Sequence, residues 1–151
     1  MTGPTHLVVA ITVTVYAGQT SPSALIVAGI SSLLPDIDVK SSLIGRTVPV
    51  LPRIIENTVG HRTLTHSIWM VLLLSIGIYW LYPFLFMPFI IGYVSHLVLD
   101  ILTGGVFLFY PYRKRTVISL GIPPVFIEAL LLMGMGVFFA FNWQDFLERL
   151  F

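Results

Sequence analysis

Residues 63–99, TLTHSIWMVLLLSIGIYWLYPFLFMPFIIGYVSHLVL, contain no Asp, Glu, Lys or Arg. A membrane-spanning helix needs about 20 apolar residues, so this stretch is too long for a single span. Pro83 and Pro88 interrupt it near its middle, and proline is poorly tolerated inside a helix. The stretch therefore predicts two apolar helices, over 67–82 and 88–102, that pair as a hairpin.

The flanking sequence predicts more helices of the same kind. Residues 1–35 are also uncharged, and the turn-forming run Gly18-Gln19-Thr20-Ser21-Pro22 separates helices predicted over 5–17 and 23–34. A fifth helix is predicted from Pro123-Pro124 to Trp143, in a tract interrupted only by Glu128. We therefore predict one all-α domain over residues 1–151: an integral membrane bundle of about five helices, comprising two helical hairpins and a C-terminal helix.

The composition excludes several classes of protein. Hydrophobic residues make up 56% of the chain and charged residues 10%, against about 25% charged residues in soluble domains. This excludes a cytosolic globular enzyme and a disordered chain. A net charge of +1 argues against a nucleic-acid partner, and the lack of cysteine excludes disulfides and thiolate metal sites. No Lys or Arg precedes the first apolar run, so we expect no cleavable signal peptide.

The basic residues predict the orientation in the membrane. Counting crossings places residues 36–62 and 104–122 on one side, and these two loops contain seven of the eight basic residues: Lys40, Arg46, Arg53, Arg62, Arg113, Lys114 and Arg115. Only Arg149 falls on the other side. Basic loops face the cytoplasm, so we expect a prokaryotic-type inner-membrane protein whose loops are cytoplasmic.

The histidines and most of the aspartates lie at the ends of the predicted helices that face these loops. Two antiparallel hairpins would bring seven of these side chains to one depth on one side: His6, Asp36, Asp38, His61, His66, His96 and Asp100. Imidazole and carboxylate together suit Zn²⁺, Mn²⁺ or Fe²⁺. We therefore predict a site for one or two divalent ions, zinc first, facing the cytoplasm.

The spacing of these residues suggests their individual roles. His96 and Asp100 are four residues apart and share a helix face; alternatively, Asp100 pairs with an arginine or His96 bonds a backbone carbonyl. Asp36 and Asp38 are predicted in an extended stretch that follows Pro35 and places them on one face. One could bind the metal while the other orients a ligand imidazole or acts as general base; a simple turn role is the alternative.

The segment before the third helix carries the remaining candidates. His61 and His66 would lie about 140° apart on a continuous helix, so we place His61 in the loop, with Thr65 capping a helix that begins at His66. Arg62 could bind a phosphate or carboxylate, or anchor the chain at the membrane surface. Glu128 could be a further ligand or base, or a carboxylate favoured by the helix dipole.

These residues, in this order, resemble a known family. The set His6, Leu34-Pro35-Asp36-Ile37-Asp38, His61-Arg62-x-x-Thr65-His66-Ser67 and Gly92-x-x-x-His96-x-x-x-Asp100 is similar to the YdjM-like family of small inner-membrane proteins. The resemblance continues to about Arg115 and implies a membrane-bound, metal-dependent hydrolase. A more distant likeness to zinc-dependent phospholipase C and P1-type nucleases implies that His6, Asp36 or Asp38, His61, His96 and Asp100 are metal ligands.

The leading hypothesis is metal-assisted hydrolysis of a phosphoester in a membrane lipid or lipid-linked substrate. The candidate catalytic residues are Asp36, Asp38, Arg62 and His66, with an aspartate as general base and Arg62 on the phosphate. A metal-ion or proton transporter that uses the same residues is one alternative, and a non-catalytic membrane scaffold with a structural metal is another. The sequence leaves the substrate, the ion count and the oligomeric state open.

Overall fold

Helices make up most of the chain, apart from the segment 104–123, which contains one isolated antiparallel bridge between Val106 and Thr116. The structure of the chain, a computed structural model, describes residues 1–48, 50–58, 60 and 62–150, without the Leu51 side chain. Within these residues the α-helices are α1 (Gly3–Tyr16), α2 (Pro22–Leu33), α3 (Leu43–Thr47), α4 (Val50–Thr58), α5 (Ile68–Leu81), α6 (Phe86–Thr103) and α7 (Pro124–Leu150). Two short 3-10 helices cover Leu34–Asp38 and Pro83–Leu85. The prediction of an all-α membrane protein is confirmed.

Two of these helices are long and apolar enough to cross a membrane. They are α6, counted together with the preceding 3-10 turn as Pro83–Thr103, and α7. Helices α1 and α5 are equally apolar but shorter. Large apolar side chains point outward, with Trp80 79% and Phe141 85% exposed. Such a surface is suited to lipid rather than to water.

The expected hairpins are present, but the segment between them is more structured than expected. Helices α1 and α2 pack together, as do α5 and α6. Residues 36–62, expected to be loop, contain α3 and α4. Helix α6 begins at Phe86, before the predicted start at Pro88. Pro88 lies in its first turn, where the missing N–H has no helical partner to lose.

The predicted extended conformation at Asp36 and Asp38 is wrong. Pro35 occupies the first turn of a 3-10 helix, so the chain continues with a tighter helical turn after α2. The Ser42 hydroxyl donates to the Asp36 carbonyl at 2.7 Å. With three residues per turn, the two aspartates point in different directions and reach the site from different sides.

The predicted start of the third long helix is also wrong. Ser67, not Thr65, caps it: the Ser67 hydroxyl accepts the Met70 N–H at 3.3 Å, and α5 begins at Ile68. Thr65 is engaged elsewhere, because its carbonyl accepts the Tyr93 hydroxyl at 2.6 Å and its own hydroxyl lies 3.0 Å from His66 Nδ1. His66 therefore belongs to the loop that precedes α5.

Helix α6 is the centre of the fold and packs against α1, α2 and α5. A small apolar core lies on its α5 side, formed by Val71, Phe89, Tyr93 and Leu97. On its α2 side the backbones come very close at Gly92, where an added Cβ would collide with the Ala28 carbonyl and the Ser31 hydroxyl. This contact places the next turn of α6, which carries His96, directly against α2.

Candidate metal centre

His96 is held in one orientation by the close contact between α2 and α6. Its Nδ1 lies 2.7 Å from the Ser32 carbonyl oxygen, and the side chain is fully buried. A carbonyl only accepts hydrogen bonds, so Nδ1 carries the proton. In the neutral ring, Nε2 is then left with a free lone pair, the state required of a metal ligand. Both contacts considered as alternatives from the sequence are present: His96 bonds a backbone carbonyl, which orients the ring, and Asp100 pairs with Arg62.

His66 faces His96 from the loop before α5. The two Nε2 atoms are 3.3 Å apart. The other nitrogen of His66, Nδ1, lies 3.0 Å from the Thr65 hydroxyl and 3.8 Å from Asp38 Oδ2. Burial lowers the pKa of the His66 imidazole, although its contact with Asp100 and the charge of Asp38 act in the opposite direction. A lowered pKa favours the neutral ring, which can bind a cation.

Two carboxylates complete the group. Asp36 Oδ1 lies 3.8 Å from His66 Nε2 and 3.7 Å from His96 Nε2. Asp100 Oδ2 lies 3.4 Å and 3.6 Å from the same two nitrogens. All four ligand atoms are within 4.8 Å of one another. Zinc bonds of about 2.0–2.1 Å in a tetrahedron place neighbouring ligands about 3.3 Å apart, so the group fits one divalent cation.

The hydrogen bonding within the group also fits a cation. At most one of the facing Nε2 atoms can carry a proton, because a second would place two donors against each other. Asp100 Oδ2 is buried, and the guanidinium Nη2 of Arg62 lies 3.0 Å from it. Three carboxylates, those of Asp36, Asp38 and Asp100, lie in or against this buried group, so a cation among the four ligand atoms would offset negative charge that is costly to bury.

Arg62 connects two aspartates of the site. Its backbone N–H donates to Asp38 Oδ2 at 2.7 Å, and its guanidinium Nη2 lies 3.0 Å from Asp100 Oδ2. The residue has a φ of 56°, which is uncommon outside glycine. Its side chain lies against Gly104, where a Cβ would collide with Nη1. Arg62 thus binds carboxylates of the site, one of the roles considered from the sequence.

His6 lies beside the four-residue group. Its ring stacks on His96 with the centroids 3.8 Å apart, and its Nε2 is 3.6 Å from Asp100 Oδ1. Neither ring nitrogen has a hydrogen-bond partner among the described residues. The Met1 amine is also close, 3.4 Å from Asp100 Oδ1. His61, a predicted ligand, lies outside the described residues, so its role stays a prediction.

The structure therefore brings most of the predicted site residues together. Asp36, His66, His96 and Asp100 form the possible metal-binding group, with Asp38 and Arg62 bonded around it and His6 stacked on it. Glu128 is not in the group. Its Oε1 accepts hydrogen bonds from the Thr2 N–H at 2.9 Å and from the Thr2 and Thr5 hydroxyls at 2.5 Å, which attaches α7 to the start of α1.

Several groups that support the site were not predicted from the sequence. These are the Ser32 carbonyl, the two threonines that bind Glu128, and the glycines that allow close contact. Gly92 and Gly104 carried a signal in principle, because a glycine inside or just after an apolar helix often marks a close approach. A backbone carbonyl leaves no trace in the sequence.

A cavity adjoins the group. It has a volume of about 330 Å³ and is lined by Met1, Thr2, Gly3, Pro4, Asp36, Val39, Ser41, Ser42, Leu43, Arg46 and Arg62. Asp36 is the one member of the four-residue group that lines it, and 13% of the Asp36 side chain is exposed. The cavity therefore gives small molecules a route to the possible metal centre.

Comparison with known proteins finds relatives among bacterial membrane proteins. The family described as YdjM inner membrane protein matches residues 1–150. The uncharacterized protein YvsG of Bacillus subtilis is 32% identical over 143 residues, covering 89% of each chain. The inner membrane protein YdjM of Escherichia coli and that of Shigella flexneri are each 30% identical over 141 residues, covering 82% of this chain and 72% of theirs. No solved structure matches.

Proposed function

This chain belongs to the YdjM family of inner membrane proteins, and from that premise we propose that it is a membrane-bound, metal-dependent hydrolase. Its substrate is a phosphoester in a lipid or lipid-linked molecule. The observation that carries the proposal is the convergence of Asp36, His66, His96 and Asp100 beside an open cavity. A purely structural metal would favour a closed group without such access.

The donor set suits zinc first, with manganese or iron as alternatives. A divalent cation bound by His66, His96 and Asp100 would keep a fourth position for a water molecule, which it would activate, and would polarise a phosphoryl oxygen. Asp36 lines the cavity and is placed to accept a proton from that water. Asp38 is a positioning residue, because it bonds the Arg62 backbone and lies beside His66 Nδ1. Arg62 lines the cavity too and is placed to bind a phosphate oxygen.

The location at the membrane boundary supports a lipid substrate. A head group could enter the cavity while its acyl chains stay in the bilayer. We place the cavity on the cytoplasmic side, since most basic residues lie in the loops at this end of the helices.

The test combines metal content with activity. Purified protein loaded with Zn²⁺ or Mn²⁺ should hydrolyse at least one member of a phospholipid panel. The His96→Ala variant should lose both bound metal and activity. Ser95→Ala, on the same helix turn, is the matched control and should keep both. Equal metal content in His96→Ala and wild type would reject the site. Metal flux into proteoliposomes without hydrolysis would favour a transporter instead.

A further inference from the structure

The cavity beside the metal centre contains a second arginine that no described residue neutralises. Arg46 of α3 and Asp36 both line the cavity, but Arg46 makes no hydrogen bond or ion pair with Asp36 or with any other described residue. Lys40 and Arg149, by contrast, each have an acidic partner: Lys40 pairs with Glu56 at 2.5 Å and Arg149 with Asp145 at 3.0 Å. Among the described residues Arg46 is thus an unpaired cation, on the wall of a cavity that also contains Arg62, whose guanidinium contacts Asp100.

An apolar groove runs along the outside of α1 and α2. It has a volume of about 300 Å³ and is lined only by aliphatic residues and glycine: Leu7, Ile11, Leu25, Ile26, Gly29, Ile30 and Leu33. From residue 25 to residue 33 of α2 the groove is about 12 Å long, at the helical rise of 1.5 Å per residue. Its apolar lining suits a hydrocarbon chain.

The groove and the cavity meet at Gly3. A Cβ at this position would lie 2.9 Å from Leu43 Cδ1, which lines the cavity, and 3.4 Å from Leu33 Cδ2, which lines the groove. Because Gly3 has no side chain, only Leu43 and Leu33 separate the polar cavity from the apolar groove at this position. A molecule with a charged head and a hydrocarbon tail could occupy both.

We propose that the cavity and the groove together bind a lipid phosphomonoester. Its phosphate lies between Arg46 and Arg62, and one acyl chain lies in the groove between α1 and α2. The unpaired guanidinium of Arg46, the unbonded Nε of Arg62 and the cation centre together match the double negative charge of a phosphomonoester better than the single charge of a diester. This inference rests on the proposed hydrolase function and narrows its substrate class, with Arg46 as a specificity-determining residue.

Equilibrium binding to the purified, metal-loaded protein in detergent tests the inference. The probes are inorganic phosphate, a short-chain phosphatidic acid and the corresponding diacylglycerol. Arg46→Gln should weaken the binding of both phosphate-containing probes about tenfold or more, as expected for the loss of a charged hydrogen-bond donor. Arg53→Gln, an exposed arginine of α4 outside the cavity, is the matched control and should leave binding unchanged.

The groove is tested separately. Ile26 is 60% exposed, so Ile26→Trp should fill the groove without disturbing the core. It should weaken binding of phosphatidic acid but not of inorganic phosphate, whereas Ile76→Trp on α5 should affect neither. If Ile26→Trp has no effect on the lipid, or if phosphate binds as tightly as phosphatidic acid, the groove is not part of the site.

The outcomes distinguish this inference from the proposed function. Normal binding of phosphatidic acid by Arg46→Gln, with metal content unchanged, would overturn the inference while leaving the hydrolase intact. Hydrolysis of phosphodiesters but not of phosphatidic acid would also overturn it. If wild type binds phosphatidic acid in the predicted manner but hydrolyses no phosphoester, recognition would stand and the proposed function would fail.

Discussion

Substitution of Gly92 by alanine should separate α6 from α2 and thereby disturb the metal centre. The added methyl group would collide with the Ala28 carbonyl and the Ser31 hydroxyl, and would lie 3.0 Å from the Ala28 carbonyl carbon. The backbone can move but not be compressed, so one helix must shift. Overpacking of this kind costs about 1–3 kcal/mol. The shift also lengthens the 2.7 Å contact from His96 Nδ1 to the Ser32 carbonyl, and loss of such a support weakens metal binding about 10–100-fold.

Gly77 provides the matched control. It lies in α5, and a Cβ there would meet nothing within 4 Å. Gly77→Ala should therefore be neutral or stabilise the protein by up to about 1 kcal/mol, the usual gain of alanine over glycine in a helix. Thermal unfolding in detergent would measure stability, and competition with a chelator would measure metal affinity. If Gly92→Ala matches Gly77→Ala in both measurements, the close contact between α2 and α6 does not support the metal centre.

Three further predictions concern the surroundings of the site. Asp38→Asn should weaken metal binding about tenfold, because it removes the carboxylate charge that lies 3.8 Å from His66 Nδ1; unchanged affinity in a chelator competition would show that Asp38 does not support this ligand. Glu128→Ala should lower the free energy of unfolding by about 1–3 kcal/mol, since the Thr2 and Thr5 donors lose their acceptor, while metal affinity stays the same; a parallel loss of metal would place Glu128 in the site. Because burial lowers the pKa of His66, its ring stays neutral as the pH falls through about 6.5, the ordinary imidazole value, and protons displace the metal only at lower pH. Metal content after dialysis over a pH series measures this, and loss already at pH 7 would contradict it.

The sequence predicts that the site residues come together, because this depends only on the chain turning back on itself between paired helices. Uncharged tracts with a turn or prolines near the middle produce hairpins whose open ends meet at one depth. His96 and Asp100, one helical turn apart, then meet residues that follow α2 and precede α5. Asp36 follows α2 and His66 precedes α5, so the lengths of these helices bring both residues to the depth of His96. The hydropathy of the sequence predicts those lengths.

The local backbone at these positions could not be predicted, because distant contacts determine it. The 3-10 turn that carries Asp36 and Asp38 is bonded to the Ser42 hydroxyl and to the Arg62 N–H. Thr65 has the residue type of a helix cap, yet Tyr93 and His66 engage its backbone and side chain. In each case two local structures are acceptable, and a hydrogen bond to a residue far away in the chain, Arg62 or Tyr93, stabilises one of them.

One face of α6 combines packing and ligand positions on three successive turns. Gly92 sets the distance to α2, His96 uses that distance to reach the Ser32 carbonyl, and Asp100 reaches Arg62 at the end of the helix. The separation of α2 and α6 and the positions of the ligands are therefore not independent quantities. Any substitution that moves these helices apart should lower metal affinity even when it touches no ligand, whereas substitutions on the lipid-facing side of α6 should leave the affinity unchanged.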